Sequence, residues 1–283
     1  MPSLISRINR QFNYKLSWTT IIATYALITM VLIYDLHVLV IWYPEVDTTF
    51  ILHMCAVSFL VVHIYLNIFM VLYVDASPRD IILPSTLKPG WKYCAECGWN
   101  IPPRAAHCYK CNVCILKRDH HCFFYSMCIG YKNHRYFVVS IIYLFIAVVY
   151  ATIVNFLFAS EVLFGFTIGR IIGCFMPLPA WMFGYFTGYQ ATCGFFCALP
   201  LSASFSIGGL VYYEMYLIIK GQTWKEAENN DYSYRLSIAE NLTIVFGKYW
   251  WICFINPLMS SGLEGDGTTF RKPGISNSKT KSG

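Results

Sequence analysis

Charged residues are scarce in this chain. Only 13% of its 283 residues are Asp, Glu, Lys or Arg, while 57% are hydrophobic; a soluble domain has about 25% charged residues. So few charges could not cover the apolar surface of a soluble protein of this length, which excludes that class. The N-terminal region also lacks the pattern of a cleaved secretory signal, in which a basic region and a short apolar stretch precede a small-residue cleavage site.

Long apolar runs are present instead. A transmembrane helix needs about 20 mostly apolar residues, and residues 18–40, 50–74, 136–158 and 195–219 each supply such a run. Between the third and fourth runs, residues 162–192 are apolar but interrupted by proline, glycine and one arginine. We expect this segment to be interfacial or re-entrant on the luminal side.

The distribution of basic residues predicts the orientation. Arg7, Arg10 and Lys15 precede the first span, and nine Lys or Arg residues lie between the second and third spans. The loop after the first span carries Glu45 and Asp47 but no Lys or Arg. Because positive charges mark the cytosolic side, both termini and the segment between the second and third spans are predicted to be cytosolic.

The predicted fold is an α-helical polytopic membrane protein with four transmembrane helices and a small cytosolic Cys-rich domain between the second and third. The predicted regions are a cytosolic N-terminus (1–17), helices one and two (18–74), the Cys-rich domain (75–135), helices three and four with the apolar luminal segment between them (136–219) and a cytosolic C-terminal region (220–283). From about residue 262 the chain is rich in Gly, Ser, Thr and Lys, which predicts a disordered tail.

Several polar residues fall inside the predicted spans, among them Asp35, His53, His63, Asn67 and Glu214. Such residues are functional candidates because burying them in lipid is costly. For the two histidines we favour a structural role, in which a neighbouring polar group satisfies the ring. Glu214 lies about one and a half helical turns from the cytosolic end, so we expect its carboxylate to reach the membrane interface.

Ten cysteines and histidines are concentrated between residues 94 and 128. In a reducing cytosol such a cluster indicates metal binding rather than disulfides, and two Cys3His zinc sites need eight ligands. Pairs of cysteines separated by two residues fit a tight turn around a tetrahedral ion, and each pair needs one His and one Cys from further along. The predicted first site is Cys94, Cys97, His107 and Cys114. The predicted second site is Cys108, Cys111, His121 and Cys128.

This division leaves His120 and Cys122 without a metal. Asp119 can accept a hydrogen bond from one nitrogen of His120, so that the other nitrogen serves as a base for Cys122, the arrangement of a nucleophile, a base and an orienting group. Lys117 and Arg118 add a positive field that favours a thiolate. The alternative is a purely structural zinc module that binds protein or nucleic acid, with all ten groups linked to metal. Its position between membrane helices argues against nucleic acid as a partner.

Asp119-His120-His121-Cys122, within this cysteine-rich frame, closely resembles the DHHC protein S-acyltransferases (palmitoyltransferases). Further segments are similar to motifs of that family. They are Pro102, Arg104 and His107 in the frame; Asn133 and Phe137 after it; Asp75-Ala76-Ser77-Pro78 after the second span; Thr223-Trp224-Lys225-Glu226 after the fourth; and Tyr234, Asn241 and Val245-Phe246-Gly247 in the C-terminal region.

The resemblance implies a two-step transfer. Cys122 would take a long-chain, palmitoyl-like acyl group from acyl-CoA as a thioester and pass it to cysteines of membrane-associated proteins, while His120 takes and returns protons. The acyl chain would lie among the spans, and the coenzyme phosphates would meet Arg104, Lys117 and Arg118. Two structural Zn²⁺ ions, acyl-CoA, substrate proteins and the bilayer are thus the expected ligands and partners.

Three departures from the family pattern keep an alternative open. Phe123-Phe124 replaces Pro-Trp, Ser126-Met127 replaces an Asn pair, and Trp224 replaces the second Thr of the motif after the fourth span. None removes a predicted ligand or catalytic atom. The alternative is a catalytically weak zinc-bearing membrane scaffold, or an enzyme that depends on an accessory protein.

The C-terminal sequence predicts a cellular address. Lys279 and Lys281 lie five and three residues from the C-terminal end, and the pattern resembles a dilysine signal for retrieval to the endoplasmic reticulum. We therefore expect an integral endomembrane protein of the endoplasmic reticulum, the Golgi or both. The alternative is a solvated basic tail that touches anionic lipid.

Overall fold

A computed structural model describes residues 18–273 of the chain. The predicted cytosolic N-terminus (1–17) and the dilysine pattern at Lys279 and Lys281 lie outside the described residues. Within them, the chain divides into two compact units. We call the unit that includes Leu66–Val139 and the chain from Tyr213 the Cys-rich unit, and the unit formed by Ile22–Tyr65 and Ser140–Tyr212 the helical unit.

Four helices of the described chain are long and apolar enough to cross a membrane. They are α1 (Trp18–Trp42), α2 (Thr48–Tyr73), α3 (His134–Val162) and, after two short helices, α6 (Gly188–Lys220). The predicted polytopic helical fold is therefore confirmed. At about 1.5 Å per residue, helices of this length match or exceed a hydrocarbon core of about 30 Å.

The fourth long helix, α6, begins seven residues before the predicted position (195 against Gly188). The cause is a reciprocal cap: the backbone N–H of Gln190 donates to Thr187 Oγ1 at 3.2 Å, and Gln190 Oε1 accepts from the backbone N–H of Thr187 at 3.0 Å. This pairing satisfies two backbone groups that a helix start leaves free. Pro200 lies inside the helix.

The two short helices between α3 and α6 are α4 (Ile168–Phe175) and α5 (Pro177–Met182). Both are too short to cross a bilayer. Large apolar side chains of this segment are exposed, including Phe164 at 80% and Phe183 at 88%. The interfacial or re-entrant placement remains a prediction.

The helical unit has an apolar core that includes Tyr34, Leu39, Phe158 and Phe196. Tyr34 and Phe196 stack with ring centroids 4.0 Å apart. Beside them, buried Asp35 accepts a hydrogen bond of 2.8 Å from Asn155. The expected structural role of the membrane histidines fits His53, whose two ring nitrogens hydrogen-bond the hydroxyls of neighbouring tyrosines.

The Cys-rich segment folds as three antiparallel hairpins. Their strands are β1 (Lys92–Cys94), β2 (Trp99–Ile101), β3 (Ala106–Cys108), β4 (Val113–Ile115), β5 (His120–Cys122) and β6 (Met127–Ile129), paired in sequence order. Equivalent positions recur every 14 residues, so that Cys94, Cys108 and Cys122 each end the first strand of a hairpin. Each turn contains a residue with a left-handed backbone: Gly98 (φ 68°), Asn112 (φ 51°) and Ser126 (φ 51°).

The C-terminal part of the Cys-rich unit forms three more helices: α7 (Trp224–Glu228), α8 (Ile238–Phe246) and α9 (Ile252–Ile255). Capping boxes begin α7 at Thr223 and α8 at Ser237.

The prediction of disorder from residue 262 is wrong for residues 262–273, which pack against other residues of the Cys-rich unit. The hydroxyl of Tyr131 donates to the carbonyl of Glu264, and the ring of Phe270 lies 5.0 Å from the Arg104 guanidinium. Gly267 adopts φ +83°, and a Cβ there would come within 2.5 Å of the Tyr131 ring. Aromatic contacts, which the polar composition of the segment does not reveal, order this part of the chain.

Candidate active site and metal clusters

The first Cys/His group lies between the first and second hairpins. The tip of the first hairpin supplies Cys94 and Cys97, and the base of the second supplies His107 and Cys114, which face each other in the β3–β4 register. Their donor atoms all lie within 4.8 Å of one another. Cys97 Sγ is 3.3 Å from His107 Nδ1 and 3.6 Å from Cys114 Sγ.

The second group repeats this arrangement one hairpin further along. Cys108 and Cys111 form the tip of the second hairpin, and His121 and Cys128 face each other at the base of the third. Cys111 Sγ is 3.3 Å from His121 Nδ1 and 3.7 Å from Cys128 Sγ. The structure therefore brings together the same eight side chains that the spacing grouped.

Both groups fit a tetrahedral zinc ion. Zn–S distances of about 2.3 Å and Zn–N distances of about 2.0 Å would hold the donors about 3.5–3.8 Å apart, close to the separations seen here. Burial, together with the neighbouring Cys94 and Cys97 thiols, raises the pKa of Cys114. A bound cation would offset that penalty and stabilise the thiolates.

The third hairpin turns Cys122 away from the metal groups. Successive side chains of a strand point to opposite faces, so His121 faces the second group while His120 and Cys122 share the other face. Cys122 is 6% exposed, and its side chain is among the neighbours that raise the pKa of His120. Of the seven cysteines in residues 94–128, it is the one that joins neither group.

His120 is held between a carboxylate and a thiol. Its Nδ1 lies 2.7 Å from Oδ2 of Asp119, which is 2% exposed. Burial lowers the pKa of His120, but the hydrogen bonds to Asp119 and Cys122 outweigh it and raise this pKa to about 10. The imidazole is therefore protonated at neutral pH and bears a positive charge beside Cys122.

Glu214 lies at the site, although the sequence predicts a different position for it. It was expected at the membrane interface, but its side chain is fully buried. Its Oε1 accepts the indole N–H of Trp224, and its Oε2 lies 3.3 Å from His134 Nε2. These two partners satisfy the carboxylate inside the protein, which removes the reason to reach water. The sequence feature that could have identified Glu214 as a site residue is an acidic residue within an apolar helix.

Glu214 also lies beside the His120–Asp119 pair. Carboxylate oxygens of Asp119 and Glu214 and a ring nitrogen of His120 lie within 4.8 Å of one another. Trp224 connects the two carboxylates, because its backbone N–H donates to Asp119 Oδ1 at 3.1 Å.

Arg104 is paired inside the protein, and its expected phosphate contact remains a prediction. Its side chain is 2% exposed, and its Nε and Nη2 donate to the two carboxylate oxygens of Glu226, each at 2.7 Å. The Tyr234 ring lies 4.5 Å from the guanidinium. Two of the three guanidinium nitrogens are therefore committed to protein acceptors. Glu226 thus ties the helix after α6 to the Cys-rich segment.

Lys117 is also buried, at 5% exposure. Burial, with the nearby charge of Arg104, lowers the pKa of Lys117 to about 7. Arg118 is half-buried; burial lowers its pKa, but the neighbouring Cys128 and Cys108 outweigh burial and raise this pKa. Both basic side chains are thus at least partly enclosed by protein, and the phosphate contacts of Lys117 and Arg118 remain predictions.

Other residues of the recognised motifs hold the site in place. Asn133 accepts from the backbone N–H of Gly130 at 2.8 Å and donates to the Cys128 carbonyl at 3.1 Å, which joins the third hairpin to α3. Asn241 is buried and donates to the carbonyls of Ile219 and Leu236. After α2, the backbone N–H of Leu116 donates to the Ala76 carbonyl at 3.0 Å.

Comparisons with known proteins show which family this chain resembles. A family model described as DHHC palmitoyltransferase matches residues 87–231, which include all three hairpins and α7. The chain is 31% identical over 224 residues to a Danio rerio protein named "Probable palmitoyltransferase ZDHHC24", covering 78% of this chain and 75% of that protein. A Homo sapiens protein of the same name is 29% identical over 232 residues, with 78% of each chain covered.

Proposed function

Because the chain belongs to the DHHC palmitoyltransferase family, we propose that Cys122 is the nucleophile through which this protein S-palmitoyltransferase moves its acyl group. The observation that carries the proposal is the placement of Cys122. Its thiol lies outside both Cys3His groups and against a protonated histidine. A positive charge beside a thiol stabilises the thiolate, which is the attacking species.

In the first step, the Cys122 thiolate attacks the carbonyl carbon of a long-chain acyl-CoA. A new C–S bond forms, the bond to the coenzyme sulfur breaks, and His120 gives its proton to the leaving thiolate. In the second step, His120 takes the proton of a substrate cysteine, whose sulfur attacks the Cys122 thioester and releases Cys122. Asp119 holds the imidazole ring and stabilises its charged form in both steps.

The two Cys3His groups would hold structural Zn²⁺ ions. Cys94, Cys97, His107 and Cys114 would hold one, and Cys108, Cys111, His121 and Cys128 the other. When bound, the ions supply folding free energy to a segment whose strands have only three residues each. Zinc binding by His121 would also fix the backbone between His120 and Cys122.

The membrane setting defines the substrate class. Basic loop residues support a cytosolic site and cytosolic termini, so acyl-CoA would reach the site from the cytosol, and the protein substrates would be membrane-associated. Burial of each acyl CH₂ group among the spans would contribute about 0.8 kcal/mol to binding. The endoplasmic reticulum and Golgi remain the proposed location.

The departure at Trp224 supports an enzyme rather than an inactive scaffold. Although the side chain differs from the family's threonine, the backbone N–H still donates to Asp119.

Acyl loading of the purified full-length protein tests the proposal. Wild type incubated with radiolabelled palmitoyl-CoA is expected to gain a hydroxylamine-sensitive label, and Cys122→Ser is expected to gain none. Cys55→Ser, which changes an exposed thiol of α2, is the matched control and should label like wild type. Equal labelling of Cys122→Ser and wild type would overturn the assignment. A series of acyl-CoA chain lengths would define the preferred donor.

A further inference from the structure

Resting on the proposed function, we infer that Glu214 is a positioning residue for the His120–Asp119 pair and that it acts through Trp224. Glu214 belongs to α6, far from the Asp-His-His-Cys run in sequence. Its carboxylate is fully buried, and one of its oxygens lies within 4.8 Å of a carboxylate oxygen of Asp119 and a ring nitrogen of His120.

Three contacts fix Trp224 at the site. Its indole N–H donates to Glu214 Oε1, its backbone N–H donates to Asp119 Oδ1 at 3.1 Å, and its ring centroid lies 5.6 Å from that of His120. Tyr213, the neighbour of Glu214 on α6, packs edge-on against the same indole at 4.7 Å. The rotamer of Trp224 therefore depends on the acceptor that Glu214 provides.

Trp224 in turn restricts where the His120 ring can lie. The Trp224 backbone holds one oxygen of Asp119 while His120 uses the other. On its other side, the His120 ring packs edge-on against Phe137, with centroids 5.0 Å apart. Loss of the indole anchor would free both the carboxylate and one wall of the imidazole pocket, and sub-ångström shifts of a base lower turnover without changing substrate binding.

The second oxygen of Glu214 has its own partner. His134, buried at the start of α3, lies 3.3 Å from Oε2. A buried carboxylate without partners would be costly, so His134 and Trp224 together keep Glu214 in place. A threonine, the family residue at position 224, has no indole N–H to reach this carboxylate. Glu214 and Trp224 thus act as a pair in this chain.

Four variants separate hydrogen bonding from bulk packing. Glu214→Gln keeps an acceptor for the indole, Glu214→Leu removes it, and Trp224→Phe keeps an aromatic ring without the N–H. The fourth combines Glu214→Leu with Trp224→Phe. Glu161→Leu is the matched control, because Glu161 also accepts an indole N–H, from Trp42 at 3.2 Å, in the helical unit.

The first readout is the rate of acyl-enzyme formation across palmitoyl-CoA concentrations. Glu214→Leu and Trp224→Phe should each lower the maximal rate about tenfold or more with the half-saturating concentration unchanged. Glu214→Gln should stay within about threefold of wild type, and the double variant should fall no further than either single one. Three results would overturn the inference. They are a wild-type maximal rate in Glu214→Leu, equal rate losses in Glu214→Gln and Glu214→Leu, and additive rate losses in the double variant.

The second readout does not need acyl-CoA. The rate at which iodoacetamide alkylates Cys122, followed by peptide mapping, should fall in Glu214→Leu and recover in Glu214→Gln, while Glu161→Leu matches wild type. An unchanged alkylation rate in Glu214→Leu would contradict positioning. If the variants show this pattern of alkylation rates but wild type gains no acyl group from palmitoyl-CoA, the positioning role is supported and the proposed function is contradicted.

Discussion

The third hairpin differs from the first two at one position that decides its chemistry. All three place a cysteine at the end of the first strand and a left-handed residue in the turn. The first two follow that cysteine three residues later with another, Cys97 and Cys111. The third has Tyr125 instead, buried and packed edge-on against Phe137.

Under the proposed function, this difference would let the same hairpin hold either a metal ligand or a nucleophile. In the first two hairpins the tip thiols meet a His and a Cys from the base of the next hairpin. No fourth hairpin follows the third in the described chain, and the tip of the third hairpin meets His120 instead. A single thiol against a histidine lacks the ligands of a closed zinc site but has the parts of a nucleophile.

The largest expected effect follows from removing a cysteine at the tip of one of the first two hairpins. Cys111→Ser should remove the second metal and unfold the Cys-rich segment, because metal binding contributes about 10 kcal/mol or more to folding of small zinc sites. Limited proteolysis and metal analysis of the purified protein would show it. A variant that kept both its metal and its protease resistance would show that Cys111 is not a ligand.

The next effect acts on the third hairpin alone. His120→Ala should retain the metals but slow acyl-enzyme formation by about 10²–10⁴-fold, the usual contribution of a general acid–base. His53→Ala, which removes a histidine of the helical unit, is the control and should load normally. Rates that are the same in His120→Ala and wild type would remove His120 from the mechanism.

Converting the third tip into a copy of the first two sharpens the comparison. Tyr125→Cys gives this tip the Cys-x2-Cys spacing of the other two, so Cys122 gains a neighbouring thiol that can share a metal or form a disulfide. Acyl loading should become sensitive to added zinc and to oxidant, and reductant with a chelator should restore it. Tyr125→Ala carries the same loss of packing, about 2–4 kcal/mol, and should show no such sensitivity. Equal sensitivity in the two variants would contradict the prediction.

The smallest expected effect concerns Lys117, in the link between the second and third hairpins. Its pKa is lowered to about 7 from 10.5 by burial, so below about pH 7 it is protonated in both states and the folded state bears the cost of a buried charge. Between about pH 7 and pH 10.5 the unfolded chain binds more protons at Lys117 than the folded protein does. The free energy of unfolding therefore rises with pH in this range, by at most about 1.4 kcal/mol per pH unit.

Thermal unfolding at pH 7 and pH 9 would measure this contribution. Lys117→Met should be more stable than wild type at pH 7, and its advantage should shrink by about 2 kcal/mol at pH 9. Lys132→Met, at a partly exposed lysine, should leave the pH dependence unchanged. An advantage of Lys117→Met that did not depend on pH would contradict a titrating Lys117.

The parts of this molecule that sequence predicts are those set by short-range pattern. Apolar runs predict the long helices, and Cys-x2-Cys spacing groups the eight side chains because each tip is local. The single unmatched Cys122 follows from the same arithmetic. The early start of α6 was also local, since Thr187 and Gln190 have capping-box spacing, but the surrounding apolar residues obscured it.

The remaining features depend on pairs that are distant in sequence. Arg104 meets Glu226, which is 122 residues away, and Glu214 meets His134, which is 80 residues away. Charge alone suggested solvent and phosphate for these residues, because a basic or acidic side chain is usually exposed. Instead, Arg104 is buried in an ion pair with Glu226, and Glu214 is buried with hydrogen-bond partners.

The metal content of two matched variants tests most directly whether Cys122 stands outside both clusters. Cys108 and Cys122 occupy equivalent positions of the second and third hairpins, and each is replaced by serine in the full-length protein. Wild type and Cys122→Ser should each contain about two zinc ions per chain, as two Cys3His groups require, while Cys108→Ser should contain about one. Loss of zinc from Cys122→Ser, or two ions in Cys108→Ser, would contradict the account.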